Sequence, residues 1–509
     1  MFLKNKFAGY LTLGCLILSA GACTKKLDSN TQNPNAITTN GITGKDVFAS
    51  ALQNTVYYVN AAAIPNTTNG ISTLTQQWMG AWARTTSYSA SGTQYQIEAF
   101  ALTNTFGDNF WGAMYHNMGD YNFVISKSAD GSILPGASAV MKVLVFQDLT
   151  DIFGDIPYSQ ALIPTITKPP YDKATAIYAS LPLKLDSAMA LINASKASSD
   201  DAADIMFKGD KAKWLAFANT IKLRILLRQI PNAATASSLQ AEMNKTISYG
   251  FLGAGTDAVI NPGYKDATSQ QSPFWAVFGF QVGSTNPYQS NTFYIANQTM
   301  IDYLKATSDP RLGYLYAKSP SGSYAGNYLG DAGKPVNQLS SIGTGILQSP
   351  SMPGVVMTAS NALFLQAEAA QRGLISGDYN ALFGQAVAES FRFLGIPNAA
   401  AAAAAYLSSP SSLADPRITP GAGGASPIEA IIYQKWIANA EIDGLEMWSD
   451  YRKTGYPDRT NPSTNPAAGS NGIPKRLLYP QTETSQNPGN YAAQNQQSSD
   501  IYTKIFWGL

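Results

Sequence analysis

Apolar residues recur three and four positions apart over most of the chain after Lys45, the spacing of helices that bury one face. KDVFASALQNTVYYV puts Val47, Ala51, Val56 and Tyr58 near one side of such a helix. Phe106 to Ile125 repeats the pattern with aromatics, and Val140 to Phe153 is an apolar helix stopped by Gly154 and Pro157. GDKAKWLAFANTIKLRILLR is the clearest case: Asp210 stands at the N-cap, and Trp214, Phe217, Ala218, Ile221 and Ile225 follow at helical spacing. MTASNALFLQAEAAQRG ends at Gly373, a C′ glycine, and the alanines from Ala399 to Ala405 favour a further helix. In SPIEAIIYQKWIANA, Ser426, Pro427 and Glu429 occupy N-cap, N1 and N3, the pattern of a capping box.

Between about residues 250 and 348 this order breaks. Gly, Pro, Ser and Tyr multiply, and only Tyr294 to Leu304 keeps a helical period. The stretch reads as a loop-rich insertion on a helical scaffold, the kind of segment that carries ligand contacts. A second loop-rich tail runs from Pro457 to Leu509. The expected fold is mainly α, with paired helices stacked as degenerate tetratricopeptide-like units that leave no exact repeat in the sequence.

The first residues follow another logic. MFLKNKFAGYLTLGCLILSAGAC opens with Lys4 and Lys6, continues with an apolar stretch from Phe7 to Leu18, and ends in small residues before Cys23. This is the three-part pattern of a signal peptide over residues 1–22, too short to span ~30 Å of hydrocarbon. Cys15 leaves with the signal, so Cys23 becomes the first residue and the one thiol of the mature chain. The arrangement resembles a bacterial lipoprotein signal, with Ala20 where that pattern favours Leu. It implies a lipidated Cys23 and an extended tether over residues 23–44, ahead of one domain over 45–509. Acyl chains at about 0.8 kcal/mol per buried CH₂ would hold such a protein on a membrane.

Composition then narrows the chemistry. Charged residues make up 13% of the chain and the formal net charge is +1, which leaves no field for nucleic acid. With one histidine, His116, a multi-histidine zinc site is impossible, and neither a GxSxG elbow nor a GxxxxGK[ST] loop occurs. No catalytic residue, metal or cofactor is expected, and His116 is expected buried or half-buried within WGAMYHNMGDY. Asp148, Asp151 and Asp155 in FQDLTDIFGDIPY need separate treatment, because a glycosidase requires only two carboxylates. Their plainer role is polar groups at a helix end, with Asp155 organising the turn before Pro157.

What remains is aromatic. Eight Trp and 27 Tyr offer flat faces for stacking against sugar rings and hydroxyls for directional hydrogen bonds. One cluster is Trp78, Trp82, Tyr88 and Tyr95 around the polar TTSYSASGTQY loop. Another includes Trp275 and Tyr288, followed by Tyr324 and Tyr328. These eight are the candidate ligand contacts, although core packing is the commoner role for any single ring.

Several segments occur together in a fixed order: NTQNPNAIT, FQDLTDIFGDIPYSQA, GDKAKWLAFANTIKLRILLR, SDPRL, LFLQAEAAQRG, YQKWIANAEIDGLEMWSDYRKTGYP and LLYPQTETSQNPGNY. As an ordered set they resemble the SusD/RagB family of outer-membrane nutrient-binding lipoproteins, from about Asn33 to Tyr491. The resemblance implies a tetratricopeptide-like scaffold and a location outside the cell on the outer membrane. It also implies a partner, a SusC-like TonB-dependent transporter on which the lipoprotein acts as an extracellular lid. The implied ligand is an oligomeric nutrient, most often a glycan and in some members a peptide, and the implied activity is binding without bond cleavage. A shared GLEMWSDYRKTGYP amid varied ligands points to a structural segment. There Trp448 and Tyr451 would pack where the chain leaves the helix begun at Ser426, and Asp450 and Arg452 would pair across the turn. Neutral oligosaccharides are the leading ligand. Peptides or other small nutrients on the same scaffold, or a surface glycosidase using Asp148 and Asp151, are the alternatives.

Overall fold

The computed structural model describes residues 41–59, 70–230, 236–331, 333–459 and 462–509. The signal peptide, Cys23 and most of the tether lie outside the described residues. The scaffold helices are α1 (Gly44–Val59), α2 (Ile71–Trp78), α3 (Asp108–Lys127), α4 (Leu134–Phe153), α5 (Ala174–Ala194) and α6 (Lys211–Gln229). Then come α7 (Ala359–Gln371), α8 (Tyr379–Phe393), α9 (Pro427–Asn439) and α10 (Gly444–Thr454). Helix packs on following helix from α3 through α6, with α1 against α3, α6 against α7 and α7 against α8. Then α9 lies on α7, α10 on α9, and α2 on α10. The fold is mainly α and tetratricopeptide-like, and the apolar faces merge into one continuous core.

Local signals explain most boundaries. The Asp210 carboxylate accepts from the Lys213 N–H at 3.1 Å and starts α6. Ser426 caps α9 through the Ile428 N–H at 3.3 Å, one residue earlier than a capping box requires. α7 ends at Gly373 in the left-handed region, φ +73°. α4 begins at Leu134, earlier than the expected Val140, because Pro135 sits in its first turn, where a missing N–H costs nothing. Tyr294 to Leu304 is not one helix. Tyr294–Ala296 is a strand, and Asn297 then caps a helix over Gln298–Ala306 by accepting from the Thr299 N–H at 2.9 Å. Asp155 pairs with Lys173 and accepts from the Ala174 N–H at 2.8 Å, so it caps α5 and does not organise the turn after Gly154. His116 is exposed on α3, because Asn117, Met118 and Tyr121 form that helix's buried side.

The GLEMWSDYRKTGYP segment is a helix of its own, not the exit from α9. Gly444 opens it where a Cβ would lie 2.4 Å from the Thr75 hydroxyl on α2, and Gly455 closes it at φ +79°. Trp448 is buried, its ring 5.5 Å from that of Trp78, and its indole N–H donates to the Pro474 carbonyl at 3.0 Å. Arg452 does not pair with Asp450. Two positions apart on a helix, they point to different sides. The Arg452 guanidinium lies 3.5 Å over the Trp448 ring and donates to the Asp151 carbonyl at 2.6 Å. Tyr451 is half-buried under the Lys475 ammonium.

Asp450 belongs to a buried ionic chain that crosses the scaffold. Glu446 accepts from Arg228 at 2.6 Å and Lys435 at 2.5 Å, and Lys435 continues to Asp450 at 2.9 Å. Lys453 links Asp450 to Glu368 on α7 at 2.7 Å. On the other side Arg228 reaches Asp151 at 3.0 Å, and Arg224 reaches Asp148 at 3.2 Å. Asp151 also accepts from the Tyr178 hydroxyl and from the Trp507 indole N–H, which draws the tail into the core. Asp148 and Asp151 are therefore buried residues of α4 that pair with the arginines of α6. Burial lifts Asp148 to about 7 despite Arg224.

Two predictions follow the chain of charges. Lys435→Met leaves Glu446 and Asp450 short of a partner in the core and is expected to lower the unfolding free energy by about 3–5 kcal/mol in urea titrations. Burial opposes the Glu368 charge, but Lys453, Arg372 and Lys435 together outweigh it and bring the carboxyl down to about 2 from 4.5. Its stabilisation is present above pH 4.5 and is lost as pH falls from there to about 2. Glu368→Gln is expected to be less stable at neutral pH and to lose less stability over that acid window, read from urea midpoints across pH.

Candidate ligand cleft

The two loop-rich regions singled out by aromatic content meet on a short ribbon. Strand β1 (Trp82–Arg84) pairs antiparallel with β5 (Tyr294–Ala296), Trp82 opposite Ala296 and Arg84 opposite Tyr294. The remaining strands, β2 (Ile156–Pro157), β3 (Tyr171–Asp172), β4 (Ala258–Ile260) and β6 (Gly354–Met357), form the pairs β2–β3 and β4–β6 elsewhere. Trp82 is fully buried beneath the ribbon, its ring 4.9 Å from Phe278 and 5.3 Å from Tyr294. The Asn297 and Asn327 amides donate to the Trp82 and Arg84 carbonyls at 3.1 and 3.0 Å. These bonds fix the ribbon where it lacks further strands.

Beside the ribbon opens a cleft of about 410 Å³. Tyr88, Ser89, Ser91, Thr93 and Gln94 form one wall, and Gln289, Ser290, Phe293 and Tyr294 form the other. Its size falls within the range of small-molecule sites. The Tyr88 ring lies 5.4 Å from that of Phe293, and its hydroxyl is 2.8 Å from the Thr292 hydroxyl, so the walls touch at one end. Behind them Arg84 pairs with Glu98 at 2.8 Å and donates to the Tyr88 carbonyl at 2.6 Å. Gln94 is held by Glu98 at 2.9 Å and by Gln77 at 2.7 Å. The two charges are thus spent on positioning the loop. The lining itself carries hydroxyls, carboxamides and ring faces and no charged side chain. Such a surface matches a neutral ligand rich in hydroxyl groups, which both donates and accepts and also presents C–H faces.

The eight candidate rings divide sharply. Tyr88 lines the cleft. Tyr95 is 44% exposed on the helix Thr93–Glu98, immediately after Gln94. Trp78 and Trp82 are corrected to core residues, since neither reaches the surface. Trp78 packs on Phe100 and donates to the Ile97 carbonyl at 3.1 Å. Trp275 is half-buried against Phe280, and Tyr288 is half-buried with its hydroxyl donating to Gln271 at 2.9 Å. Tyr324 and Tyr328 lie in a loop that packs over the helix Gln298–Ala306. The Tyr328 hydroxyl donates to Asp302 at 2.9 Å, and Lys305 donates to the Tyr324 carbonyl at 2.8 Å. Phe293, Gln94, Gln289 and the Arg84–Glu98 pair were not anticipated from the sequence. A signal existed for the pair, because they are the sole charged residues between Asp46 and Asp108.

A family model described as SusD-like, starch-binding and associating with the outer membrane, matches residues 34–480. Among solved structures the chain resembles a chitin-binding protein at 24% identity and TM-score 0.71, covering 92% of this chain and 99% of that one. It resembles a chitin-binding SusD homologue from Flavobacterium johnsoniae at 23% identity and TM-score 0.72, covering 92% and 98%. It likewise resembles a SusD-like protein from Bacteroides thetaiotaomicron at 23% identity and TM-score 0.72, covering 90% and 98%. No curated protein matches the chain.

The contrast between Trp82 and Tyr88 is measurable. Trp82→Ala empties a site beneath the ribbon and is expected to cost about 3–5 kcal/mol of unfolding free energy. Tyr88→Ala, on the half-buried wall, is expected to cost about 1 kcal/mol or less in the same denaturant titration.

Proposed function

The chain belongs to the SusD-like family, described as starch-binding and associating with the outer membrane, and from that membership we propose that it captures neutral oligosaccharides at the cell surface. The observation that carries this reading is the uncharged lining of the cleft between Tyr88 and Phe293. A sugar ring stacks its C–H face on one aromatic, while Gln289 and the serines exchange hydrogen bonds with its hydroxyls and the Gln94 carboxamide oxygen accepts from one. Strongly anionic ligands find no cation in this lining. The chitin-binding descriptions of two similar structures make chito-oligosaccharides the first ligands to try.

Binding without turnover completes the proposal. Asp148 and Asp151, the carboxylates a glycosidase would have used, are buried against Arg224 and Arg228 and line no part of the cleft. The captured sugar passes to a SusC-like TonB-dependent transporter, over which this lipoprotein closes as a lid. Cys23 carries the lipid that keeps it there.

Calorimetric titration of the mature chain with chito- and malto-oligosaccharides tests the ligand class. Tyr88→Ala and Phe293→Ala are each expected to weaken the bound sugar about tenfold with little change in fold stability. Unchanged affinity in both variants would remove the cleft from the mechanism, and binding of neutral peptides but of no sugar would overturn the ligand class. Cys23→Ser is expected to move the protein from the membrane fraction to the soluble one, and retention on the membrane would refute the anchor.

A further inference from the structure

A second cavity, of about 600 Å³, opens on the scaffold between α3, α4 and α5, far in sequence from the ribbon. Its apolar side runs from Val143 and Phe146 of α4 at the floor, past Leu162 from the loop after β2, to Leu191 of α5 at the rim. Leu191 is 52% exposed and the neighbouring Ile163 40% exposed, so the apolar surface continues to the rim. Two lysines face the same groove, Lys142 from α4 and Lys184 from α5. Lys142 donates to the Asn122 carboxamide at 3.0 Å, and among the described residues neither lysine has a carboxylate within ion-pair distance.

The acids near these elements are committed elsewhere. Asp172 accepts from the Tyr158 and Ser159 N–H groups, Asp186 pairs with Lys222 at 2.6 Å, and Asp120 accepts from Asn54. Burial, and then Lys184, push the Lys142 ammonium below its ordinary range. Two like charges beside an apolar floor are costly unless an anion sits between them.

We propose that this groove is a second ligand site, for an amphiphilic anion whose acyl or aryl body lies along the Val143–Phe146–Leu191 side with its carboxylate between Lys142 and Lys184. The floor suits a hydrocarbon body better than a peptide. The Tyr158 hydroxyl is already spent on Ser180 at 2.9 Å, and few groups remain to satisfy a peptide backbone. Sugar hydroxyls would meet the same apolar floor without partners. On α5, Ser180, Lys184, Ser187 and Leu191 follow at three-and-four spacing along the open side, which sets the head-to-tail direction of the ligand.

The probe is octanoate, titrated into the full mature chain carrying Cys23→Ser so that no detergent competes for the groove. Saturable single-site binding is expected, with octanol roughly tenfold weaker and octylamine not bound. Lys142→Met with Lys184→Met keeps the aliphatic stems and is expected to weaken octanoate about tenfold, while oligosaccharide affinity at the Tyr88 cleft stays the same. Leu191→Asp is expected to abolish octanoate binding by placing a charge under its hydrocarbon tail. Equal affinity for octanol and octanoate, undiminished octanoate binding in the double variant, or the absence of saturable binding would each overturn the site. Displacement of octanoate by phosphatidylglycerol vesicles would assign the anion to a membrane lipid, and retention in their presence to a free acid.

Discussion

The helices α4, α6, α7, α9 and α10 are arranged around the burial of Glu446. A carboxylate taken out of water costs several kcal/mol unless matched by cations of good geometry. Here Arg228 comes from α6 and Lys435 from α9, with Arg224 at 3.8 Å as a third. Each cation must itself be matched, so the requirement passes on to Asp151, Asp148 and Asp450, and through Lys453 to Glu368. Apolar contacts tolerate small slides between helices, whereas a buried ion pair does not. The charges therefore fix how α4, α6, α7, α9 and α10 sit against one another, and Arg452 locks the tail to the same point through the Asp151 and Lys475 carbonyls.

The candidate cleft draws on that rigidity at second hand. α10 packs on α2 across the close approach at Gly444, and α2 leads directly into β1. Gln76 of α2 accepts from the Glu441 N–H at 2.9 Å and donates to the Asn439 carbonyl at 3.3 Å, tying the foot of the ribbon to the link between α9 and α10. Trp82 then serves as a wedge between scaffold and cleft. Polar loop residues can face solvent, because the aromatic mass beneath them supplies the stability.

Helices with a clean apolar face were readable in the sequence, as were the caps at Asp210 and Gly373, because these are local. Charge pairing was not. Arg224 and Arg228 on α6, and Glu446 and Asp450 on α10, stand one turn apart in their own helices, and nothing in either segment says that they meet. The aromatic clusters pointed to the segments that meet at the cleft, Tyr88 among them, yet not to the division between buried and open rings. Trp78 and Trp82 look like their neighbours in composition, and only long-range packing against Trp448 and Phe278 hides them. Phe293 was invisible for the converse reason, since its neighbour across the cleft lies some two hundred residues away in the chain.

The β1–β5 ribbon separates two kinds of freedom. Its register is fixed by three residue pairs and by the amides of Asn297 and Asn327, all inside the core. Beyond Arg84 the loop is tied to the opposite segments by the Thr85 and Thr86 N–H groups, which donate to the Phe293 and Lys334 carbonyls, and by the Ser87 and Tyr88 hydroxyls, before Glu98 returns it to Arg84. Doubling the length of such a loop costs only about 0.6 kcal/mol. Residues 89–92, past those ties, can accordingly be lengthened, shortened or rewritten without disturbing the frame. The frame acts as a socket, and the tip of the loop beside the candidate cleft is an exchangeable part.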